Sequence, residues 1–286
     1  MASVLITGTS TGIGRETALH LARAGYTVFA TMRSPEKNDL AEVAAGENLP
    51  LTVLKQDVTD GSSNQDTVDA VVEAAGQVDV LINNAGIGGA YVTEEMSMGH
   101  LRDVFDTNVF GAVDLAKRVI PQMRERRSGT IVNVTSVAGR MSVSPQIAYS
   151  SSKVALDAIS EMWAQELSPY NVRIAAIEPG IIITPILEKF ELPSPDTHYA
   201  RNYERMMVFF EAGIKVGTGP DLVASTIQNA IETDSPRLRY LVGADAEGIM
   251  KMRHAMTDEE WVALFADDMT LDEYKRRASE LTGLPL

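Results

Sequence analysis

The sequence predicts an α/β protein built on one doubly wound parallel sheet with helices on both faces. Short β-branched runs recur along the 286 residues, and stretches with helical periodicity separate them. The runs are apolar throughout instead of alternating, which is typical of strands that are covered on both faces. Because crossovers between parallel strands are right-handed, a doubly wound sheet is the simplest arrangement of such units.

Seven segments are the predicted strands of this sheet. They are Val4–Ile6, Thr27–Thr31, Leu51–Lys55, Val80–Ile82, Thr130–Val134, Arg173–Ile177 and Tyr240–Val242. No linker or repeat interrupts the pattern, so we expect residues 1–286 to form a single domain.

Three regions depart from the simple alternation. Met98–Arg127 and Tyr149–Leu167 are predicted as two long helices with more apolar residues than one buried stripe needs. Residues 184–219 contain three prolines followed by the apolar run Met206–Phe210, which predicts an irregular insert that acts as a lid over a site. The alternative is that this apolar run packs into the core.

Residues 243–286 are predicted to be a C-terminal helical extension. Thr257 and Glu260 have the spacing of a capping box, in which each side chain binds a free amide at a helix start, just before Trp261. We interpret this region as a solvated helix that finishes the fold.

The composition excludes several classes of function. With 25 basic and 39 acidic side chains, the net charge is −14, which argues against a nucleic-acid partner. The chain has no cysteine, and its four scattered histidines lack metal-ligand spacing, so we expect neither disulfides nor a bound metal. No long apolar run predicts a membrane span, and no leader precedes the first strand, so we expect a cytoplasmic protein.

A glycine-rich turn follows the first predicted strand and opens a helix over Arg15–Ala24. Such a turn directs free amides and the helix dipole at a phosphate, and its glycines let the phosphate approach closely. A turn with a purely structural role is the alternative. The cofactor contacts expected here are Gly8, Ser10, Gly12, Ile13 and Gly14.

The end of the second strand bears on which nicotinamide cofactor binds. An acidic residue there would accept bonds from the free 2′-hydroxyl of NAD. This sequence has Met32 and then Arg33, whose guanidinium suits the 2′-phosphate of NADP. We therefore expect NADP(H) to be preferred, with NAD(H) as the alternative if Arg33 is only a solvated loop residue.

Tyr149 and Lys153 lie at positions i and i+4 of a predicted helix, where side chains meet. A cation about 4 Å from a phenol contributes roughly 4 kcal/mol at an effective dielectric near 20. That energy would lower the phenol pKa by about three, into the range where tyrosine can exchange protons. The pair therefore predicts a proton donor for carbonyl reduction.

Several further motifs occur in a fixed order around this pair. Thr7–Gly14 has the spacing T-G-x-x-x-G-x-G, Asn83–Gly86 follows the fourth strand, and Pro179–Thr184 follows the sixth. Asn108 lies in the first long helix and Ser136 follows the fifth strand. From Val4 to about Thr184 the chain resembles the short-chain dehydrogenase/reductase family, whose fold is a single Rossmann-type domain.

The resemblance implies a role for each catalytic position. Tyr149 would be the general acid in reduction and the base in oxidation, while Lys153 would lower its pKa and bind the nicotinamide ribose. Ser136 would bind the substrate oxygen, and Asn108 would bend its helix to hold a water in a proton relay to Lys153. Asn83 would tie the central strands together. The family needs no metal.

The resemblance also implies further cofactor contacts. Asp57 would accept a bond from the adenine amino group, and the backbone of Ile182 with Thr184 would hold the nicotinamide carboxamide. The remaining contacts are Val58, Asn84, Ala85, Gly86, Tyr149, Lys153, Pro179 and Gly180. In the family the two long helices pack against a second subunit, so a homodimer or homotetramer is expected. Trp163 would then lie in that interface or, alternatively, in the core.

The pattern is most similar to that of hydroxysteroid and retinol dehydrogenases, because of the strand end Ala30–Arg33, the long insert and the late strand at Arg239–Tyr240. A bacterial-type general ketone reductase would have a similar pattern, and acyl-carrier-protein ketoreductases share the core but usually end near the last strand. A hydrophobic ketone and its secondary alcohol are the expected substrates. Other hypotheses are an NAD-preferring alcohol dehydrogenase of this family, a catalytically silent binding protein, and a sugar-nucleotide epimerase. The intact catalytic positions argue against the second, and the glycine spacing and chain length against the third.

Overall fold

The computed structural model describes residues 1–185, 196–266 and 268–284, and these residues form a parallel sheet of seven strands. The strands are β1 (Ser3–Ile6), β2 (Thr27–Met32), β3 (Leu51–Lys55), β4 (Val80–Asn83), β5 (Gly129–Val134), β6 (Val172–Pro179) and β7 (Arg239–Val242). The predicted fold class is confirmed, and every predicted strand is present with ends displaced by at most two residues.

The strand order β3-β2-β1-β4-β5-β6-β7 reverses direction at β1. β1 pairs with β2 on one side and with β4 on the other, so that Ile6 lies beside both Ala30 and Ile82. In such a sheet the connections after these two strands leave in opposite directions, which opens a crevice at their carboxyl ends.

Helices cover both faces of the sheet. They are α1 (Gly12–Arg23), α2 (Leu40–Gly46), α3 (Gly61–Ala75), α4 (Met98–Phe105), α5 (Gly111–Arg126), α6 (Ile147–Leu167), α7 (Ala200–Val216) and α8 (Pro220–Glu232). Side chains of α1, α2 and α8 form one apolar cluster with Val4 and Ile6, while those of α3, α5 and α6 form another with Leu5. Neighbouring β1 residues thus serve opposite faces, which explains why the strands are apolar throughout.

The predicted helix Met98–Arg127 is continuous but contains a wider turn. A π turn over Asp106–Phe110 joins α4 to α5 and contains Asn108. Gly111 follows the π turn, where a Cβ would lie 2.8 Å from the carbonyl oxygen of Val58. The wide turn therefore lies directly before a close contact between the helix and the segment after β3. Such π turns often occur at functional sites.

The C-terminal extension differs from the solvated helix that we expected. It contains α9 (Ala244–His254), α10 (Asp258–Ala266) and α11 (Leu271–Thr282), which bury Trp261 and Tyr274 in an apolar cluster with α7. The Thr257 capping box is confirmed, since Glu260 N donates to Thr257 Oγ1 (3.2 Å) and Thr257 N donates to Glu260 Oε2 (2.9 Å). The interpretation was wrong because a local cap signals where a helix starts, not what its other faces contact.

The described part of the predicted lid is also more regular than we expected. Residues 186–195, including Leu187 and Phe190, lie outside the described residues. Ala200–Val216 is a helix, and Met206 and Phe209 on it are only 4% and 5% exposed. The prolines all precede this helix, so they do not interrupt it.

Trp163 lies in the core, as the alternative interpretation had it, and not at a free surface. Its side chain is 9% exposed and belongs to the cluster beneath α3, α5 and α6. The same two long helices nevertheless expose Phe110 (58%), Met162 (50%) and Val154 (42%). Nowhere in the described ranges is a helix both long enough and apolar enough to cross a membrane.

Candidate active site

The turn between β1 and α1 is shaped for close approach by a ligand. Gly8 and Gly12 have φ angles of +70° and +60°, in the left-handed region that favours glycine. A Cβ at Gly14 would lie 2.4 Å from the carbonyl oxygen of Gly8. The side chain of Thr11, the residue before α1, makes no capping bond, so the first amides of the helix are left for a ligand such as a phosphate.

The segment after β4 holds this turn in place. Asn84 Nδ2 donates to the carbonyl oxygens of Thr7 (2.8 Å) and Gly8 (3.1 Å), and Thr7 Oγ1 accepts from Ala85 N (2.9 Å). Asn83 Nδ2 donates to Asn133 Oδ1 (2.8 Å), which ties β4 to β5 as expected. Asn84, Ala85 and Gly86 all line the crevice, and Asn84 also builds its wall.

The far end of the crevice contains Arg33 and no carboxylate at the end of β2. Arg33 is exposed and lines the crevice, and within the described residues it has no ion-pair partner. Met32 is 4% exposed and packs in the core beneath α1. Arg15, the nearest basic residue on α1, pairs with Asp39 at 2.7 Å. Arg33 is thus a cation available to a ligand.

Asp57 and Val58 also line this end. Asp57 Oδ1 accepts from the amide (3.0 Å) and the hydroxyl (2.8 Å) of Thr59. No donor in the described part of the chain binds Asp57 Oδ2. The geometry therefore leaves one carboxylate oxygen for an amino group.

Ser136, Tyr149 and Lys153 meet on one wall of the crevice. Ser136 follows β5, and its hydroxyl, which donates to Pro179 O (3.4 Å), lowers the pKa of Tyr149 in the first turn of α6. Lys153 lies one turn later on α6, where it is 5% exposed and its Nζ lies 5.7 Å from the centre of the Tyr149 ring. Lys153 Nζ donates to the carbonyl oxygen of Val134 (2.8 Å).

The pKa directions differ from the expectation that we drew from spacing alone. Burial raises the pKa of Tyr149, and the hydrogen bond with Ser136 opposes this only in part. Burial lowers the pKa of Lys153 to about 8. The lower Tyr149 pKa that we expected from Lys153 is not found in the protein without its cofactor, where burial of the phenol dominates and Lys153 Nζ lies 5.7 Å from the ring centre.

Asn108 connects the π turn to the loop after β4. Its side chain, 1% exposed, donates to Ile87 O (2.9 Å) and accepts from Ile87 N (2.8 Å). Its Nδ2 also lies 3.0 Å from Ser152 Oγ on α6. The side chain thus fixes the loop beside Lys153, and the water relay stays a prediction.

The segment Pro179–Thr184 after β6 borders the same wall. The amides of Ile181 and Ile183 both donate to protein acceptors, whereas Ile182 N has no acceptor among the described residues. Pro179, Gly180, Ile182 and Thr184 line the crevice. Ile182 N–H is therefore available to a ligand amide oxygen.

The remaining wall forms an apolar chamber beside Tyr149, within a crevice of about 570 Å³. Its lining residues are Val137, Met141, Val143, Gln146, Met206, Phe209, Phe210 and Ile249. Sequence reasoning missed Val137, Met141, Val143, Gln146 and Ile249. Proximity to Ser136 and Tyr149 could have indicated the first four, but no sequence signal connects Ile249 with a site so distant along the chain.

Gln146 stands out in this chamber as a buried amide. Its side chain is 8% exposed, and no side-chain hydrogen bond to it occurs among the described residues.

In the described ranges, no three His, Asp or Glu side chains lie together as metal ligands would. The arrangement combines a phosphate cradle with a phenol, a hydroxyl and a buried ammonium, which are the groups needed to protonate an oxygen next to a bound nucleotide.

The family model described as "short chain dehydrogenase" matches residues 2–193 of this chain. Retinol dehydrogenase 8 of Homo sapiens is 38% identical over 256 residues, covering 83% of this chain and 80% of that protein. The 3-ketodihydrosphingosine reductase of Bacteroides thetaiotaomicron is 34% identical over 248 residues, covering 84% and 87%. The crystal structure of a short-chain dehydrogenase from Streptomyces avermitilis superimposes with a TM-score of 0.80 at 32% identity, covering 93% of this chain and 98% of that one.

Proposed function

The chain belongs to the short-chain dehydrogenase family, and we propose that it uses NADP(H) to interconvert a hydrophobic ketone and its secondary alcohol, with Tyr149 as general acid and base. Members of this family are oxidoreductases that act on CH–OH and keto groups with NAD or NADP. One observation carries the proposal. Tyr149, Ser136 and Lys153 meet on the wall of the crevice whose other end is the glycine cradle with Arg33.

The described residues fit a nicotinamide dinucleotide along the whole crevice. The uncapped amides at the start of α1 suit the pyrophosphate, and Arg33 suits a 2′-phosphate. Asp57 Oδ2 can accept from the adenine amino group, and Ile182 N–H can donate to the carboxamide. When bound, NADPH would supply the hydride that reduces the carbonyl carbon.

The proton chemistry follows from the chain's own side chains. The hydroxyls of Ser136 and Tyr149 would both bind the substrate oxygen, and the Tyr149 hydroxyl would donate its proton as negative charge develops there. With a pKa of about 8, Lys153 remains mostly protonated at pH 7. Its positive charge beside the Tyr149 ring would then stabilise the phenolate that the proton transfer leaves.

The apolar chamber supports a largely apolar substrate. Met206, Phe209 and Ile249 supply apolar and adaptable surface, while Gln146 offers one amide for a polar substituent. The two relatives reported above are named for retinol and 3-ketodihydrosphingosine, which are also largely apolar molecules. We therefore place steroid, sphingoid and aryl ketones ahead of small polar ketones.

Oxidation of NADPH against a panel of these ketones tests the proposal, with Tyr149→Phe as the central variant. We expect Tyr149→Phe to lower kcat by about 100-fold or more, the usual contribution of a proton donor, while NADPH affinity stays unchanged. Tyr170→Phe is the matched control, because Tyr170 is exposed and lies outside the crevice. Unchanged turnover in Tyr149→Phe, or a native preference for a small polar ketone, would contradict the proposal.

A further inference from the structure

Backbone hydrogen bonds hold both ends of the segment that follows β6. Gly180 N donates to the carbonyl oxygen of Val242 at the end of β7 (2.8 Å). Ile183 N donates to the carbonyl oxygen of Thr218 before α8 (3.0 Å). The amides between these anchors, those of Ile181 and Ile182, decide what the segment presents to the crevice.

Asp245, in the first turn of α9, takes one of these amides. Its Oδ2 accepts from Ile181 N at 2.7 Å, and the residue is 0% exposed. Its other oxygen, Oδ1, is buried and has no hydrogen-bond donor among the described residues. Burial raises the pKa of this carboxyl above its usual range.

The backbone around Asp245 is built to admit it. A Cβ at Gly180 would lie 2.4 Å from Asp245 Oδ1, and a Cβ at Gly243 would lie 2.6 Å from it. Both distances are shorter than any van der Waals contact, so a side chain at either glycine would displace the carboxylate. A buried carboxylate with one unmatched oxygen is costly, which argues that its place against Ile181 has another use.

We propose that Asp245 is a positioning residue for the nicotinamide ring. Asp245 holds Ile181 N–H, and the next amide, Ile182 N–H, has no acceptor among the described residues although Ile182 lines the crevice, so this amide would donate to the carboxamide. This inference rests on the proposed function, since it concerns the cofactor of that same site.

The same helix also contributes to the substrate chamber. Ile249 lies four residues after Asp245 on α9, hence on the same helix face, and it lines the crevice. The C-terminal extension therefore contributes both an anchor for the segment after β6 and a wall of the chamber, although it lies outside residues 2–193 that the family model matches.

The test separates the nicotinamide half of the cofactor from the adenosine half. Dissociation constants for NADPH and for adenosine 2′,5′-bisphosphate, which lacks nicotinamide, are measured with kcat and KM for the native protein and for Asp245→Ala, Asp245→Asn and Glu247→Ala. Glu247 is the matched control, because it is an exposed acidic residue in the same first turn. Circular dichroism checks that each variant is folded.

We expect Asp245→Ala to weaken NADPH binding about tenfold, the effect of one lost hydrogen bond, and to lower kcat, while affinity for the bisphosphate is unchanged. Asp245→Asn keeps an oxygen that can accept from Ile181 N and should restore most of both values. If Asp245→Ala does not fold, Gly180→Ala, which displaces the carboxylate without removing it, should show the same selective loss.

Equal effects on both ligands, or Asp245→Asn as impaired as Asp245→Ala, would overturn the inference, since a merely structural residue would behave in that way. The failure of the proposed function looks different. In that case the native protein would bind neither NADPH nor NADH. If the native protein binds NADPH, but the ratio of the dissociation constants for NADPH and the bisphosphate is the same in the Asp245 variants, only the positioning role is refuted.

Discussion

Replacing Lys153 with methionine should abolish turnover. In the cofactor-free protein, the free energy of unfolding of the variant should rise relative to that of the native protein as pH falls from 10 to 7. The side chain is 5% exposed, and burial moves its pKa from 10.5 to about 8. A lysine whose pKa is lower in the folded state than in the unfolded state opposes folding wherever the folded protein must hold its proton. Methionine has a similar length and no charge to bury.

The magnitude follows from the two pKa values. Each pKa unit corresponds to about 1.4 kcal/mol, so the full cost of the buried ammonium is about 3 kcal/mol below pH 8, where both states are protonated. Between pH 8 and pH 10.5 the unfolded chain keeps the proton and the folded chain releases it, so the cost disappears as pH rises. From pH 7 to pH 10 the native protein should gain about 2–3 kcal/mol relative to Lys153→Met.

A second effect does not depend on pH. Lys153→Met removes the donor to Val134 O, and leaving that carbonyl unpaired costs about 1–3 kcal/mol. This loss shifts the stability of the variant by the same amount at each pH. The informative quantity is therefore the change in the difference between the two proteins, not its absolute value.

Urea unfolding at pH 7, 8.5 and 10 and at one protein concentration measures this change. Lys215→Met, at an exposed position on α7, is the control and should follow the native profile. If the unfolding free energies of Lys153→Met and of the native protein change in parallel from pH 7 to pH 10, burial does not lower the pKa of Lys153, and the prediction is wrong.

Two further predictions concern the cofactor and the assembly. Arg33→Ala should weaken NADP binding about tenfold and leave NAD binding unchanged, as measured by fluorescence titration. Arg124→Ala, at an exposed position, is the control and should alter neither affinity. If the native protein binds NAD more tightly than NADP, the role of Arg33 is refuted. We expect the native chain to sediment as a homodimer or homotetramer and Phe110→Glu, at a 58% exposed position, to shift it towards monomer, while Val262→Glu, at a 62% exposed position on α10, should not. A native monomer at micromolar concentration would contradict the predicted interface.

Local patterns in the sequence were sufficient for the sheet, the glycine turn and the Tyr149–Lys153 pair. Strand and helix periodicity depends on which faces are buried, and in this chain each strand from β1 to β7 carries that signal in a short segment. The glycine turn and the Tyr149–Lys153 pair were predicted from short spacings, whereas Ser136 was predicted from the resemblance to the family. The structure brings them to one crevice.

Residue spacing did not predict which apolar side chains of a helix are buried in the core and which are exposed. The long helices have more apolar residues than one face needs, and only the packed structure shows that Trp163 is buried while Phe110 is exposed. The run Met206–Phe210 was predicted to be part of an irregular insert, but it lies in helix α7. There Val208 and Phe209 pack against α9 to α11, which come much later in the sequence, while Met206 packs with Ala90 and Val92.

By itself, the sequence determined the strands of the sheet, the glycine turn after β1 and the i, i+4 spacing of Tyr149 and Lys153, because these depend on local backbone preference and short spacings. Tertiary structure alone decided the direction of the Tyr149 and Lys153 pKa values and the place of Asp245 against Ile181. Both depend on how completely water is excluded and on contacts between residues far apart in the chain. Desolvation is a property of the whole packed environment, and no short stretch of sequence contains it.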